Sequence, residues 1–288
     1  MTTTQTPLTV TVFLAGTVFL LHTDARAARC QPGTPAPTAF SWPEGKRAAL
    51  SLTFDDARLS QVDVGLPLLN EHGVKATFYV QPDGLRKRLD GWKAAVASGH
   101  EIGNHTISHP CSGNLAFSRK NALEGYTLGR IEAEMTGANE IVRRELGISP
   151  ASFAYPCGQT FVGRGPGVRS YVPIVARLFQ TGRGYLGEAA NDPALCDPAQ
   201  LLAVAFDGLS WGELLPLVEK AVAEGRWLIL AGHEVGDSGF QTTRRDTLDA
   251  LCRYARDPAQ GIWLDTVAAV ASHVVRSRAI AAPARDKP

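Results

Sequence analysis

Several things are scarce in this sequence, and each scarcity excludes something. The 288 residues hold five cysteines and two methionines, and no two cysteines form a C-x-x-C pair. That spacing excludes a thiolate zinc knuckle, and the length excludes a disulfide-stapled miniprotein. Neither sign of charge is in excess: 29 Lys and Arg against 28 Asp and Glu give a formal net charge of +1. The chain therefore lacks the electrostatic footprint of a nucleic-acid or anionic-membrane binder. No internal repeat and no multi-span apolar pattern is present. What remains is an ordinary globular composition, 44% hydrophobic and 20% charged, long enough for one large α/β domain or two small ones.

Leu8 to Leu21 is an uncharged apolar run followed by Ala25-Arg26-Ala27. It reads as a signal peptide over residues 1–27 with an A-x-A cleavage site, although MTTTQTP carries no Lys or Arg. The run is shorter than the ~20 residues of a membrane span, so a secreted or periplasmic protein without stable membrane insertion is expected. Residues 28–44, rich in proline, read as a linker or N-terminal arm. Residues 45–275 form one domain with no internal boundary, and 276–288 read as a disordered tail.

Within the domain, short apolar runs alternate with helical periodicity. Strands are expected at Ala48–Phe54, Lys75–Val80, Glu101–Gly103, Ala151–Ala154, Leu202–Phe206, Trp227–Leu230 and Ile262–Leu264. Helices are expected at Leu85–Ser98, Leu123–Leu146, Leu214–Ala223, Thr247–Ala255 and Val267–Val275, with a further helical pattern through Val62, Leu66 and Leu69. The stretch 158–170, with four glycines, reads as a long loop. Repeated β-α units predict a parallel sheet, open or closed into a barrel.

Two clusters carry chemistry. Asp55-Asp56 closes the first strand, and two adjacent carboxylates there are costly unless they share a cation or a proton; a helix N-terminal turn is the plainer alternative. The second cluster is Asn104-His105-Thr106-Ile107-Ser108-His109-Pro110. A spacing of four puts both imidazoles on one face of a helical turn. With Asp56 they make a two-histidine, one-carboxylate set with open positions, the pattern of a catalytic metal.

These residues resemble a family. Thr53-Phe54-Asp55-Asp56 is similar to the TFDD signature of the polysaccharide deacetylases (the NodB-homology domain, carbohydrate esterase family 4), and His105 to Pro110 matches their H-[ST]-x-x-H-P motif. The resemblance covers about residues 45–275. It implies an α/β fold, an irregular (β/α) barrel with one catalytic domain, whose active site lies at the C-terminal strand ends. It implies Asp55 as general base, and Asp56, His105 and His109 as ligands of a divalent metal, zinc or alternatively cobalt. Phe153-Ala154-Tyr155-Pro156-Cys157-Gly158 resembles the third motif, which makes Tyr155, Pro156 and Cys157 candidates for substrate and oxyanion contacts. Ala154 stands where many members place an arginine that pairs with the base. The base thus lacks that partner or borrows another, with Arg164 and Arg169 of the adjacent glycine-rich loop as candidates.

The fourth motif resembles Phe206-Asp207-Gly208-Leu209-Ser210-Trp211, with Asp207 supporting the catalytic histidine and Trp211 beside a sugar ring. A core Trp211 with an N-capping Ser210 fits equally. Leu230-Ala231-Gly232-His233 resembles the fifth motif, with His233 as general acid. His22, His72, His100 and His273 belong to no motif and read as surface or helix-end residues. Cys111 follows the metal motif and Cys157 lies within the third, which a barrel brings to one rim, so a Cys111–Cys157 disulfide is expected in an exported chain. The implied function is metal-dependent removal of N-acetyl from amino sugars or O-acetyl from xylan, with a polysaccharide or oligosaccharide as partner. Hydrolysis of a small amide or ureide, and a non-catalytic glycan-binding module, are the alternatives. Oligomeric state is not legible in the residues.

Overall fold

A computed structural model describes residues 40–281; the expected signal peptide, Cys30 and His22 lie outside them. The organising strand is β1, Ala48–Asp55, all eight of whose residues are buried. Such continuous burial suits a central strand of a parallel sheet covered on both faces. Around it lie β2 (Thr77–Val80), β3 (Glu101–Asn104), β4 (Ser152–Ala154), β5 (Thr181–Arg183), β6 (Val204–Ala205), β7 (Trp227–Gly232) and β8 (Ile262–Leu264). All pair in parallel, in the order β5-β4-β3-β2-β1-β7-β6. The lower half of β1 pairs β8, with Ala48 opposite Ile262, and the upper half pairs β2, with Thr53 opposite Thr77.

The sheet curls until its edges approach. Leu201 donates its N–H to Gly182 O at 2.8 Å and accepts from Gly184 N at 2.8 Å, just before the chain enters β6 on the far edge. This is the expected irregular (β/α) barrel. Helices α1 (Leu66–Glu71), α2 (Pro82–Arg86), α3 (Leu89–Ala97), α4 (Leu128–Leu146), α5 (Val172–Leu178), α6 (Trp211–Ala223), α7 (Arg245–Arg256) and α8 (Val267–Ala281) connect the strands. Phe54 stacks on Phe78 at 5.4 Å, and Phe78 meets Trp92 edge-on at 5.3 Å, tying β1 and β2 to α3. None of the described helices is long and apolar enough to cross a membrane.

Several boundaries differ from expectation. The helix expected over 85–98 is two, interrupted at Lys87 and Arg88, and the long helix begins only at Leu128, where the Thr127 side chain accepts from Arg130 N. The glycine-rich loop carries a small hairpin, Phe161–Val162 against Arg169–Ser170. Neither α5, with Pro173 as its second residue, nor the three-residue β5 shows a readable period. The arm is docked from Phe40 onward: Trp42 is buried, its Nε1 donates to Gly225 O at 3.0 Å, and its ring stacks on His273. At the other end the expected tail is helical through Ala281, because Arg278 reaches Pro193 O and Cys196 O at 2.7 and 2.6 Å. His100 is buried rather than superficial, bonded to Ala76 N and Asn70, and burial pushes its imidazole down to about 4.

The interior of the curl is tight at one point. Tyr79 of β2 lies opposite Gly103 of β3, and a Cβ on Gly103 would sit 2.5 Å from the Tyr79 ring and 3.0 Å from Ser152 O. Gly103→Ala is expected to destabilise the protein by about 1–3 kcal/mol through overpacking. Urea unfolding would show this as a lower midpoint at unchanged slope.

Candidate active site

The chemistry-bearing side chains stand where strands end. Beyond Asp55 the chain turns through two left-handed residues, Asp56 (φ +74) and Ala57 (φ +51). Gly84 makes this possible, since a Cβ there would lie 2.7 Å from Asp56 O. Beyond β3, Asn104 Oδ1 accepts from Thr106 N at 2.8 Å, and Thr106 Oγ1 accepts from His109 N at 3.0 Å. Glu134 of α4 accepts from the N–H groups of Ile107 and Ser108. His105 and His109 are therefore not on a helical turn as expected. They converge through a bend with positive φ at Thr106 and His109, and their ring centroids lie 4.8 Å apart.

Asp56 Oδ1 lies 3.5 Å from His105 Nε2 and 3.6 Å from His109 Nε2. Ligand atoms of all three residues fall within 4.8 Å of one another. A tetrahedral ion with bonds of ~2.05 Å spaces its ligands by about 3.3 Å, so the donor set fits a small divalent cation. The second contacts support this. His105 Nδ1 donates to Ala154 O at 2.9 Å, which leaves Nε2 as the free lone pair, while Arg58 holds Asp56 Oδ2 and Gln81 donates to Oδ1. Burial, reinforced by His105, lowers the His109 pKa, so its ring is neutral and able to ligate.

Asp55 is buried behind this set and paired with the equally buried Arg183 of β5. Burial opposes its charge, but Arg183, then His105 and His233, overcome it and hold the carboxyl below its ordinary value. The guanidinium stacks over Tyr79 at 4.7 Å and donates to Gly184 O at 2.9 Å. Arg164 and Arg169 are exposed and do not take this place. The partner of Asp55 comes instead from the strand beside β4, at the position in register with Ala154.

His233 ends β7 and faces Asp207. Its Nδ1 lies 2.6 Å from Asp207 Oδ2, and Asp207 Oδ1 accepts from His233 N and from Thr243 Oγ1. Burial works against protonation, but the hydrogen bond that Nδ1 donates to Asp207 and the charges of Asp55, Asp207 and Asp56 outweigh it and raise the imidazole pKa. Gln61 links the ends of β1 and β7 by donating to Asp55 O and His233 O.

One open cleft of about 890 Å³ gathers Asp55, Asp56, His105, His109, Cys157 and His233. Asp207 stands behind it, holding His233. Three expected contacts are not on its wall. Tyr155 is a core residue whose hydroxyl donates to Ala199 O, and Pro156 is buried beside it. Trp211 opens α6 behind a Ser210–Glu213 capping box and packs on Tyr254, which is the core reading. Leu115, Phe117, Tyr185, Leu186, Phe240 and Gln241 line the cleft without having been anticipated; their loops carry no periodic signal. The expected Cys111–Cys157 disulfide is present, tying the His109 bend to the Cys157 turn.

Residues 40–162 match the family model described as polysaccharide deacetylase. This stretch holds both the Asp55-Asp56 and the His105–Pro110 motifs, so the match falls on the residues that carry the resemblance. It is 34% identical over 122 residues to a peptidoglycan-N-acetylglucosamine deacetylase of Bacillus cereus, covering 42% of this chain and 40% of that protein. Its fold is similar to that of a Mycobacterium smegmatis protein assigned as a polysaccharide deacetylase, with TM-score 0.59 and 17% identity over 86% of this chain and 97% of the other. A pseudoenzyme of carbohydrate esterase family 4 from Bacillus anthracis is similar in fold at TM-score 0.51 and 16% identity, over 78% of this chain and 66% of that one. The chain spans less than half the length of the first curated relatives it matches. The deacetylase family match contains Asp55, Asp56, His105, His109 and Cys157, whereas Arg183, Asp207 and His233 lie beyond it.

The Asp55–Arg183 pair carries a stability prediction. Arg183→Met strands a buried carboxylate and is expected to cost about 3–5 kcal/mol. Asp55→Asn with Arg183→Met should recover much of that, as should Ala154→Arg with Arg183→Met, because the two positions are neighbours in register. Urea unfolding of these four proteins, with Asp55→Asn alone to close the cycle, measures the coupling.

Proposed function

We propose that this domain is a metal-dependent deacetylase of glycans, with Asp55 as base and His233 as acid beside the Asp56, His105 and His109 set. The observation that carries the reading is the meeting of all five side chains in one open cleft, from strands far apart in sequence. The pseudoenzyme among the fold neighbours means that the fold alone does not argue for activity; these residues do. The Bacillus cereus relative makes N-acetylglucosamine polymers the first substrates to try.

A divalent cation, zinc in this reading, would be held by Asp56, His105 and His109 and would polarise the acyl carbonyl while making water more acidic. Asp55, ionised and held by Arg183, accepts the proton of the attacking water. His233, kept protonated by Asp207, delivers a proton to the departing amine or alcohol. The Cys157 backbone N–H at the cleft wall serves the developing oxyanion. Phe117 and Phe240, exposed on the rim, give apolar faces to sugar rings, and an open cleft of about 890 Å³ favours a polymer over a small ureide. The disulfide supports an oxidising compartment, in keeping with export.

Acetate release from chitin oligosaccharides, peptidoglycan and acetylated xylan, each with a chelator control, tests the reading. Chelator-sensitive release from any of them is the expected result, and none from all three overturns it. His105→Ala and His109→Ala should lose metal and turnover together, whereas Asp55→Asn should keep the metal and lose about 10²–10⁴-fold in kcat.

The acid also has a pH signature. His233 must be protonated to act, and that form is lost as pH rises through its raised pKa. Asp207→Asn removes the bond and charge that raise it, so the alkaline limb of kcat should move to lower pH. An unmoved limb would show that another group supplies the proton.

A further inference from the structure

The two ring nitrogens of His109 face different clusters. Nε2 lies 3.6 Å from Asp56 Oδ1, within the set described above, whereas Nδ1 lies 3.6 Å from Cys111 Sγ. His109, Cys111 and Cys157 bring one ligand atom each to within 4.8 Å of one another. While the sulfurs are bonded to each other, they offer a cation little. Freed as thiolates beside an imidazole, they are a soft ligand set of the kind that zinc prefers. The existing 3.6 Å between Nδ1 and Sγ already equals the ligand spacing of a tetrahedron with Zn–N ~2.1 Å and Zn–S ~2.3 Å, about 1.6 times the bond length. The two sulfurs would have to part to about 3.8 Å, 1.6 times a Zn–S bond of ~2.3 Å.

The bridge is also placed to be reached. Cys157 borders the open cleft, and both Cys157 (φ +54) and His109 (φ +50) sit on left-handed backbone that L-residues rarely adopt. The remaining described cysteines, Cys196 and Cys252, are free and stand apart from this group.

We propose that reduction of Cys111–Cys157 creates a second, soft-metal site from Cys111 Sγ, Cys157 Sγ and His109 Nδ1, which competes for His109 with the Asp56 set. A dithiol reductant supplies the two electrons. Its thiolate attacks one sulfur, the protein S–S bond breaks into a mixed disulfide and a protein thiol, and its second thiol then closes the reductant's own disulfide and frees the other cysteine. Binding of Zn²⁺ or Co²⁺ releases the two thiol protons to solvent and leaves a fourth position for water. Metal capture by this site stands apart from the proposed hydrolysis; only the effect on turnover rests on that reading.

Cobalt substitution reads the new site directly. The full chain is reduced with dithiothreitol, freed of it under argon, and titrated with Co²⁺ beside an oxidised sample. A thiolate-to-cobalt charge-transfer band is expected in the reduced protein only. It should persist in Cys196→Ser and vanish in Cys111→Ser with Cys157→Ser. Should that double variant fail to fold, iodoacetamide blocking of the reduced parent, with the blocked cysteines located by mass spectrometry, replaces it. No band on reduction, or a band that survives loss of both cysteines, overturns the site. With excess zinc, the reduced protein should lose at least about tenfold in acetate release, as metal sites do when a supporting contact goes, and recover on reoxidation. A band with undiminished turnover overturns the competition for His109. An oxidised parent that releases no acetate from any substrate counts against the deacetylase reading and leaves the cobalt result standing.

Discussion

A carboxylate and a guanidinium buried together inside the curled sheet, Asp55 and Arg183, set the terms for the whole cleft. Burial alone would neutralise Asp55, and a neutral acid accepts no proton. Arg183 keeps it ionised without water, and it can do so only because the sheet bends far enough to bring β5 round toward β1. The closure through Leu201, the Tyr79 ring beneath the guanidinium and the absent side chain at Gly103 all serve the same geometry. The charge pair is therefore a property of the barrel rather than of either strand.

A division of labour follows among neighbouring groups. Asp56 lies one residue beyond Asp55, yet the left-handed turn directs it to the imidazoles instead of the guanidinium. His105 and His233 resemble each other in kind but not in state. A carbonyl partner at Ala154 leaves His105 a free nitrogen suited to a cation, whereas the Asp207 carboxylate holds a proton on His233. In each case the partner of the second ring nitrogen decides the role of the first.

The sequence was most legible where a strong strand runs straight into polar residues. AALSLTFD and WLILAG are buried throughout, and Asp55, Asp56 and His233 lie at or just past their ends. The strand before His105 is shorter, but the pair of histidines marks it. Trp211 was ambiguous because an aromatic at a helix start serves a core as well as a ligand, and packing on Tyr254 chose the core. The i,i+4 histidines looked helical because spacing records separation and not backbone shape; the bend depends on Glu134 and Asn104, neither of which the spacing reveals.

Local pattern by itself determined the alternation of strand and helix, the parallel sheet, and the identity of the acid, histidine and cysteine residues at its rim. Each of those features depends on residues within a few positions of one another. Only the tertiary structure decided which arginine answers Asp55. Thr181-Gly182-Arg183 has no period, no motif and no apolar run, and it lies 128 residues from its partner. A buried ion pair is selected by what the curl of the sheet places opposite a desolvated charge, and that information exists only once the edges of the sheet have met.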